Sequence, residues 1–215
     1  MKIYAINRLP ITEAVDPTFS SEVILHENIL DILFKHKEEI YKKLIDLKGT
    51  FLIDHISIKI IDPSGKLLIF SITPSVEYNL IVQGLWKHDK SFSITFQENN
   101  DFYPWEMAYS KDYFNEIKYL KEIKHGFTFG FNISKKLGDF NLIYSYATRS
   151  KNNGLPDYYE KHRNELAHMG DYGYKVISNI YANYCNPNLD IPCTTDKKNY
   201  PQKPFLTLLI NESLL

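Results

Sequence analysis

The sequence predicts an α+β domain: an α/β/α sandwich around a central antiparallel sheet of about five strands. Three observations carry that expectation. Two stretches alternate with a period of two and double back on themselves as hairpins. Helical patterns fall before, between and after them, so strands come in adjacent pairs with the helices segregated. An apolar fraction of 44% across 215 residues is enough for a substantial core.

Residues 1–26 lack periodicity and place Pro10 and Pro17 among Thr, Ser, Glu and Asp, which reads as an irregular arm. From Asn28 to about Leu47 one helix is expected. Leu33, Ile40, Leu44 and Leu47 fall at helical spacing among lysines and glutamates, Asn28 is placed as N-cap, and Gly49 as terminator. The first hairpin follows. Ile53, His55, Ser57 and Lys59 alternate with Asp54, Ile56, Ile58 and Ile60, and Asp62-Pro63-Ser64-Gly65 makes the turn. Leu67 to Ile72 is the return strand, and His55 is read as a satisfied sheet residue.

Residues 74–86 form a helix with Thr73 as cap and Pro74 at its first position. Residues 87–104 are loop and short helix, and a helix from Trp105 to about Leu120 is interrupted at Ser110-Lys111-Asp112. In the second hairpin Phe127, Phe129, Phe131 and Ile133 share one face. Gly126 and Gly130 lie on the other, where another group can approach the backbone closely. Lys135 to Asp139 turns the chain, Phe140, Leu142, Tyr144 and Tyr146 alternate on the return, and a long helix begins near Pro156. Past Tyr184 the composition shifts to Asn, Pro, Asp, Thr and Lys. The expected division is an arm over 1–26, a domain over 27–184, and a linker with a short remnant over 185–215.

Charge and cysteine content narrow the function classes. Basic and acidic residues number 25 and 26 in mixed order, for a net charge of −1, without the basic balance of a nucleic-acid binder. There is no N-terminal apolar run of signal-peptide kind and no window of membrane-spanning length. Cys185 and Cys193 are too few for a disulfide framework and lack zinc-site company. The expectation is a cytoplasmic protein with no cofactor, no metal, no membrane contact and no nucleic-acid partner for this chain alone. Catalytic signatures are also missing: no phosphate-cradling loop, no nucleophile elbow, and His162 and His168 at a spacing that does not pair on a helix. The chain is expected not to be an enzyme.

The stretch from Thr73 to Trp105 concentrates the remaining chemistry. It holds both tryptophans, Trp86 and Trp105, with Asp89 between them and Tyr78 and Tyr103 alongside. An indole N–H only donates and an ionised carboxylate only accepts, so this set can hold the carbonyl and the N–H of an amide-bearing ligand with an apolar tail. The same residues also fit a plain core in which Asp89 accepts from nearby backbone.

Residues from about Asn28 to Ser150 resemble the autoinducer-binding domain of LuxR-type quorum-sensing regulators. The resemblance rests on Pro74, Tyr78, Asp89 and Trp105 in order, the strand His125 to Phe131 with its two glycines, and the closing Tyr144-Ser145-Tyr146-Ala147. It implies a PAS/GAF-like α/β/α sandwich that binds an N-acyl-homoserine-lactone-like signal, a small amphipathic molecule, and forms a homodimer. By that resemblance Asp89 accepts the ligand amide N–H and Trp105 lines the lactone end. Tyr78 stands near a family tryptophan that donates to the lactone carbonyl, and Thr73 and Lys90 stand where the family often has Tyr and Pro. Phe205-Leu206-Thr207 resembles the opening of the family's helix-turn-helix domain, and Phe205–Leu215 is too short to complete one. The implied function is a signal-sensing domain of a LuxR-family transcriptional regulator without its DNA-binding domain. The alternative is a ligand-free interaction and dimerisation module that modulates a full-length regulator.

Overall fold

A computed structural model describes residues 23–184 of the chain. The expectations for most of the arm, for Cys185 and Cys193, for the linker and for Phe205-Leu206-Thr207 lie outside the described residues.

The two hairpins form where period-two alternation predicts them. Strand β2 (His55–Ile61) turns into β3 (Lys66–Ser71), and β5 (Phe129–Leu137) into β6 (Phe140–Thr148). Asp62 directs the first turn by accepting from the backbone N–H groups of Ser64 (2.8 Å) and Lys66 (3.0 Å), while Gly65 supplies φ +80°. The second turn is tighter than the expected Lys135–Asp139 loop. Leu137 pairs directly with Phe140, and Gly138 at φ +59° takes the position that disfavours a side chain.

Two short strands complete a sheet of six with order β1-β3-β2-β6-β5-β4. Strand β4 (Phe102–Pro104) pairs antiparallel with β5, and β1 (Ile24–Leu25) pairs parallel with β3. Apart from the β1 pairing the sheet is antiparallel, as expected. Residues 24–25 correct the reading of residues 1–26 as wholly irregular, because their backbone completes an edge of the sheet.

Two helices expected to be continuous are each broken at a histidine. α1 (Ile29–Lys35) and α2 (Lys37–Leu44) meet at His36, whose φ −99° and ψ 8° leave the helical range, so Asn28 to Leu47 is not one helix. α7 (Leu155–Lys161) and α8 (Arg163–Ala182) meet likewise at His162. Between the hairpins lie α3 (Pro74–Val82), α4 (Ile94–Asn99), α5 (Trp105–Ala108) and α6 (Phe114–Lys121). The expected interruption at Ser110–Asp112 separates the last two. Thr73 and Asn28 hold the N-cap positions, but neither side chain makes a capping hydrogen bond.

The two faces of the sheet differ in kind. One is dry: Ile56, Ile58 and Ile60 of β2 join Phe70, Phe131, Leu142, Tyr144 and Tyr146 against α2 and α8. There α8 lies close, because a Cβ at Gly170 would sit 2.0 Å from the Tyr144 ring and one at Gly173 2.5 Å from Ile58. The other face carries His55, Ser57 and Lys59, and is covered by α1, α3, α5 and α6 with Val76, Leu80, Trp105, Ile117 and Phe127. Phe127 belongs to this second face rather than to that of Phe129 and Phe131. It precedes the strand, just after Gly126 at φ +68°.

Candidate functional site

The register of the sheet assembles a polar row that no local pattern announces. Ser71 of β3, Ser57 of β2, Ser145 of β6, Asn132 of β5 and Tyr103 of β4 stand side by side across the covered face. All are buried. A buried polar group is ordinarily paired, because an unmade hydrogen bond costs about 1–3 kcal/mol. Here the Ser57 and Ser91 hydroxyls, the Asn132 amide nitrogen, both ring nitrogens of His55 and Glu77 Oε2 make no hydrogen bond of good geometry, although Ser57 and His55 act on the Glu77 carboxyl and Asn132 on the Tyr103 hydroxyl.

Trp105 binds two adjacent members of the row. Its indole N–H donates to Asn132 Oδ1 (3.1 Å) and Ser145 Oγ (3.0 Å). Because that N–H can only donate, Asn132 Oδ1 is fixed as acceptor, and its Nδ2 is left as a donor with the Tyr103 hydroxyl as its neighbour. The ring lies against Gly130, where a Cβ would sit 2.2 Å away. This is the close approach expected of a glycine on that side of the strand. His55 and Phe127 meet the indole edge-on, at 5.8 and 6.2 Å between centroids.

Asp89 is fully buried and already has a partner. Its Oδ2 accepts from Lys121 Nζ at 2.8 Å, and its Oδ1 accepts from the Ser91 backbone N–H at 3.0 Å. Lys121 is 1% exposed, with its ammonium 4.5 Å above the Trp105 ring and 4.8 Å above that of Tyr109. Burial alone would raise the Asp89 carboxyl, but Lys121, with Lys59 and Ser91, outweighs it and holds it below the usual carboxylate range. The ammonium thus stands between the two residues expected to hold a ligand.

A second set of buried charges lies along β2. Lys59 is 2% exposed, with its ammonium 4.8 Å over the Phe92 ring and no carboxylate of the described residues within 4.0 Å. Glu77, on the inward side of α3, places Oε1 3.6 Å from His55 Nε2, longer than a hydrogen bond. His55 is therefore buried with Glu77 as its near polar neighbour, and its ring nitrogens make no hydrogen bond of good geometry.

Burial pushes the Glu77 carboxyl up, yet His55, Lys59 and the Ser57 hydroxyl together outweigh it and hold it at about 2, against an ordinary 4.5. A carboxyl depressed on folding contributes stability above the ordinary value and loses it as pH falls through the depressed one. Urea midpoints should therefore fall between pH 4.5 and about 2, with Asp89 acting in the same direction. Glu77→Gln should make that acid slope shallower. Equal slopes in the two proteins would show that Glu77 is not linked to folding.

Of the residues singled out in sequence, Asp89, Trp105 and Tyr103 are buried on the covered face. Trp105 and Tyr103 both reach the polar row, with Ser134 Oγ donating to the Tyr103 hydroxyl at 3.4 Å. Trp86 is half-buried at the margin, edge-on to Phe92. Thr73 is half-buried, with its backbone N–H on Ser71 Oγ. Tyr78 is not brought to the row. It is 37% exposed and packs edge-on against Phe34, while its neighbour Glu77 takes the inward position. Lys121, Lys59, Asn132 and Ser145 had no assigned role. Lys121 was readable as an inward residue, since it follows buried Ile117 by one helical turn. Lys59 shares a strand face with His55 and Ser57.

Among the described residues no helix is long and apolar enough to cross a membrane. No family model matches the chain, and no curated protein matches it in sequence. Solved structures match it in fold. SdiA of Escherichia coli is similar with a TM-score of 0.50 and 14% identity, over 83% of this chain and 73% of its own. CepR2 of Burkholderia cenocepacia, an N-acylhomoserine-lactone-dependent LuxR-family transcription factor, has a TM-score of 0.50 and 9% identity, over 70% of this chain and 94% of its own. At such identities the likeness is one of fold.

Proposed function

We propose that residues 27–184 are a small-molecule sensor domain of the LuxR kind, its ligand seated on the polar row beneath α3, α5 and α6. The observation that carries this reading is the set of buried polar atoms without a hydrogen bond of good geometry. Ser57 Oγ, Ser91 Oγ and Asn132 Nδ2 can each donate to a ligand oxygen, and all three are buried, as are Asp89 and Trp105. A ligand with a polar head and an acyl tail would pair these groups and lay its tail on the apolar side chains of α3 and α6. The shared fold with CepR2, which depends on N-acylhomoserine lactones, supports the same class. In this reading Trp105 orients the head group through Asn132 and Ser145, and Tyr103 closes the end of the row beside Asn132. Signal binding would act on transcription through a homodimer.

One observation favours a second reading, a ligand-free dimerisation module. The groups best suited to a ligand are engaged from within: Lys121 holds Asp89, and Asn132 with Ser145 holds the Trp105 N–H.

Thermal unfolding with a panel of acyl-homoserine lactones of graded chain length separates the two. A ligand at a hundredfold excess over Kd adds about 2.7 kcal/mol, a rise of roughly 5–10 °C for a domain of this size. Ser57→Ala should change the unliganded melting point little, because the hydroxyl makes no hydrogen bond of good geometry and is the smallest of the groups acting on Glu77. It should also reduce the ligand-induced rise. A dimer whose melting point no member of the panel moves would favour the second reading.

A further inference from the structure

We infer that the head group taken by this site is an anion, a carboxylate on an acyl chain, with Lys59 as its counter-charge. The inference rests on the sensor reading above and concerns the same site. Two lysines are buried among the described residues. The ammonium of Lys121 is neutralised by Asp89 at 2.8 Å. Lys59 has no such contact: its ammonium lies over the Phe92 ring with no carboxylate of the described residues within 4.0 Å. Of the other buried carboxylates on this side, Glu77 has His55 as its near neighbour at 3.6 Å, and Glu122 accepts from the Tyr109 hydroxyl at 2.8 Å.

A cation removed from water needs a partner charge close by, because desolvation is otherwise uncompensated. In β2, Lys59 follows Ser57 on the same face, and its strand neighbours are apolar: Ile69 on β3 and Ile143 on β6. An acyl chain can therefore lie beside the ammonium. Three groups on this face can donate to the oxygens of a head group, Asn132 Nδ2 and the Ser57 and Ser91 hydroxyls, while Glu77 Oε2 is an acceptor without a hydrogen bond and would have to stand away from it. A carboxylate answers both demands, with oxygens for the donors and a charge for Lys59. A neutral lactone supplies the oxygens and leaves the ammonium with only the more distant charges of Asp89 and Glu77.

Electrostatics of the unliganded layer agree. Burial, and after it the charge of Lys121, pushes the Lys59 ammonium down to about 8, while Asp89 and Glu77 act in the opposite direction. His55 faces the same layer from β2. A bound anion would favour the protonated form, so anion affinity should decline as pH rises past about 8.

Two probes that differ by one hydrolysed bond decide the matter: N-octanoyl-homoserine lactone and its ring-opened acid, N-octanoyl-homoserine. Titration calorimetry of each at near-neutral pH, on the wild-type chain and on Lys59→Met, gives four affinities. The acid should bind wild type about tenfold or more tighter than the lactone. Lys59→Met should weaken the acid by roughly thirtyfold and leave the lactone within about threefold. Methionine replaces a buried charge by an apolar chain of similar length, so the variant should fold. If it does not, the wild-type pair and the decline of acid affinity between about pH 7 and 9 still decide. Lactone binding equal to or tighter than acid binding would overturn the anion inference and leave the sensor reading standing. Binding of neither probe would overturn both.

Discussion

Lys121→Met should cost this domain about 3–5 kcal/mol, the usual consequence of removing one member of a fully buried ion pair. The reason lies less in the lost attraction than in what remains. Asp89, 0% exposed, would keep the backbone hydrogen bond from Ser91 and only the charge of Lys59, which makes no direct contact with it. Its charged form would then be disfavoured by burial, so the carboxyl would rise above its unfolded value. The sign of its pH dependence inverts with it. In the wild type Asp89 contributes stability that acid removes, whereas in Lys121→Met acidification should restore stability by neutralising the stranded carboxylate. Urea titrations across the acid range check both points. The double variant Asp89→Leu/Lys121→Met removes both charges and should return to within about 1–2 kcal/mol of wild type. A single-variant loss below about 1 kcal/mol would mean that water reaches the pair.

Gly130→Val should be comparably damaging, at about 3 kcal/mol or more. At most strand positions a side chain in place of glycine is neutral or helpful, since glycine has the larger conformational entropy to lose. Gly130 is different because its missing Cβ would stand 2.2 Å from the Trp105 ring. That ring has no easy retreat. Its N–H is held by Asn132 and Ser145, Lys121 lies on its face, and His55 and Phe127 meet its edges. The expected outcome is loss of the Trp105 hydrogen bonds together with a lower melting point. Since Trp86 is the only other tryptophan, a red-shifted emission would report Trp105 moving into water. Shortening the partner in Gly130→Ala/Trp105→Leu should recover part of the loss. An unchanged emission with full stability would show that the sheet yields instead.

Much of the architecture was legible because it follows from local periodicity. The alternation of Ile56, Ile58 and Ile60 with His55, Ser57 and Lys59 gives both the strand and its two unlike faces. Asp62 to Gly65 names its own turn. Breaks at His36 and His162 were not legible, since the apolar spacing of Leu33, Ile40 and Leu44 continues in phase across the first of them. β1 and β4 were hidden for another reason. Two or three residues are too few to show a period, and their pairing depends on partners distant in the chain.

The candidate site divides in the same way. Asp89 and Trp105 stood out as residue types in one stretch, and both are buried on the face that carries the polar row. Sequence could not show that Lys121 lies between them, because α6 meets Asp89 only in the folded chain. Nor could it show the row itself. Ser57, Ser145 and Asn132 are ordinary residues until the strand register lines them up. Tyr78 shows the converse: proximity in sequence to the site's residues did not decide which side of α3 faces it. Glu77 and not Tyr78 turns inward.

The brevity of β1 and β4 bears on self-association. The long strands β2 and β6 are paired on both sides, and the sheet ends in a strand of two residues at one margin and of three at the other. β4 covers only Phe131 to Ile133 of β5, and the uncovered part of that strand includes Lys135 and Lys136. Short edges and lysines on an open edge both discourage a second chain from extending the sheet. The hazard then falls in the interval before β1 and β4 dock, when β3 and β5 are the open margins. Changes that slow that docking would be expressed as aggregation during synthesis while leaving the equilibrium stability of the finished domain nearly untouched.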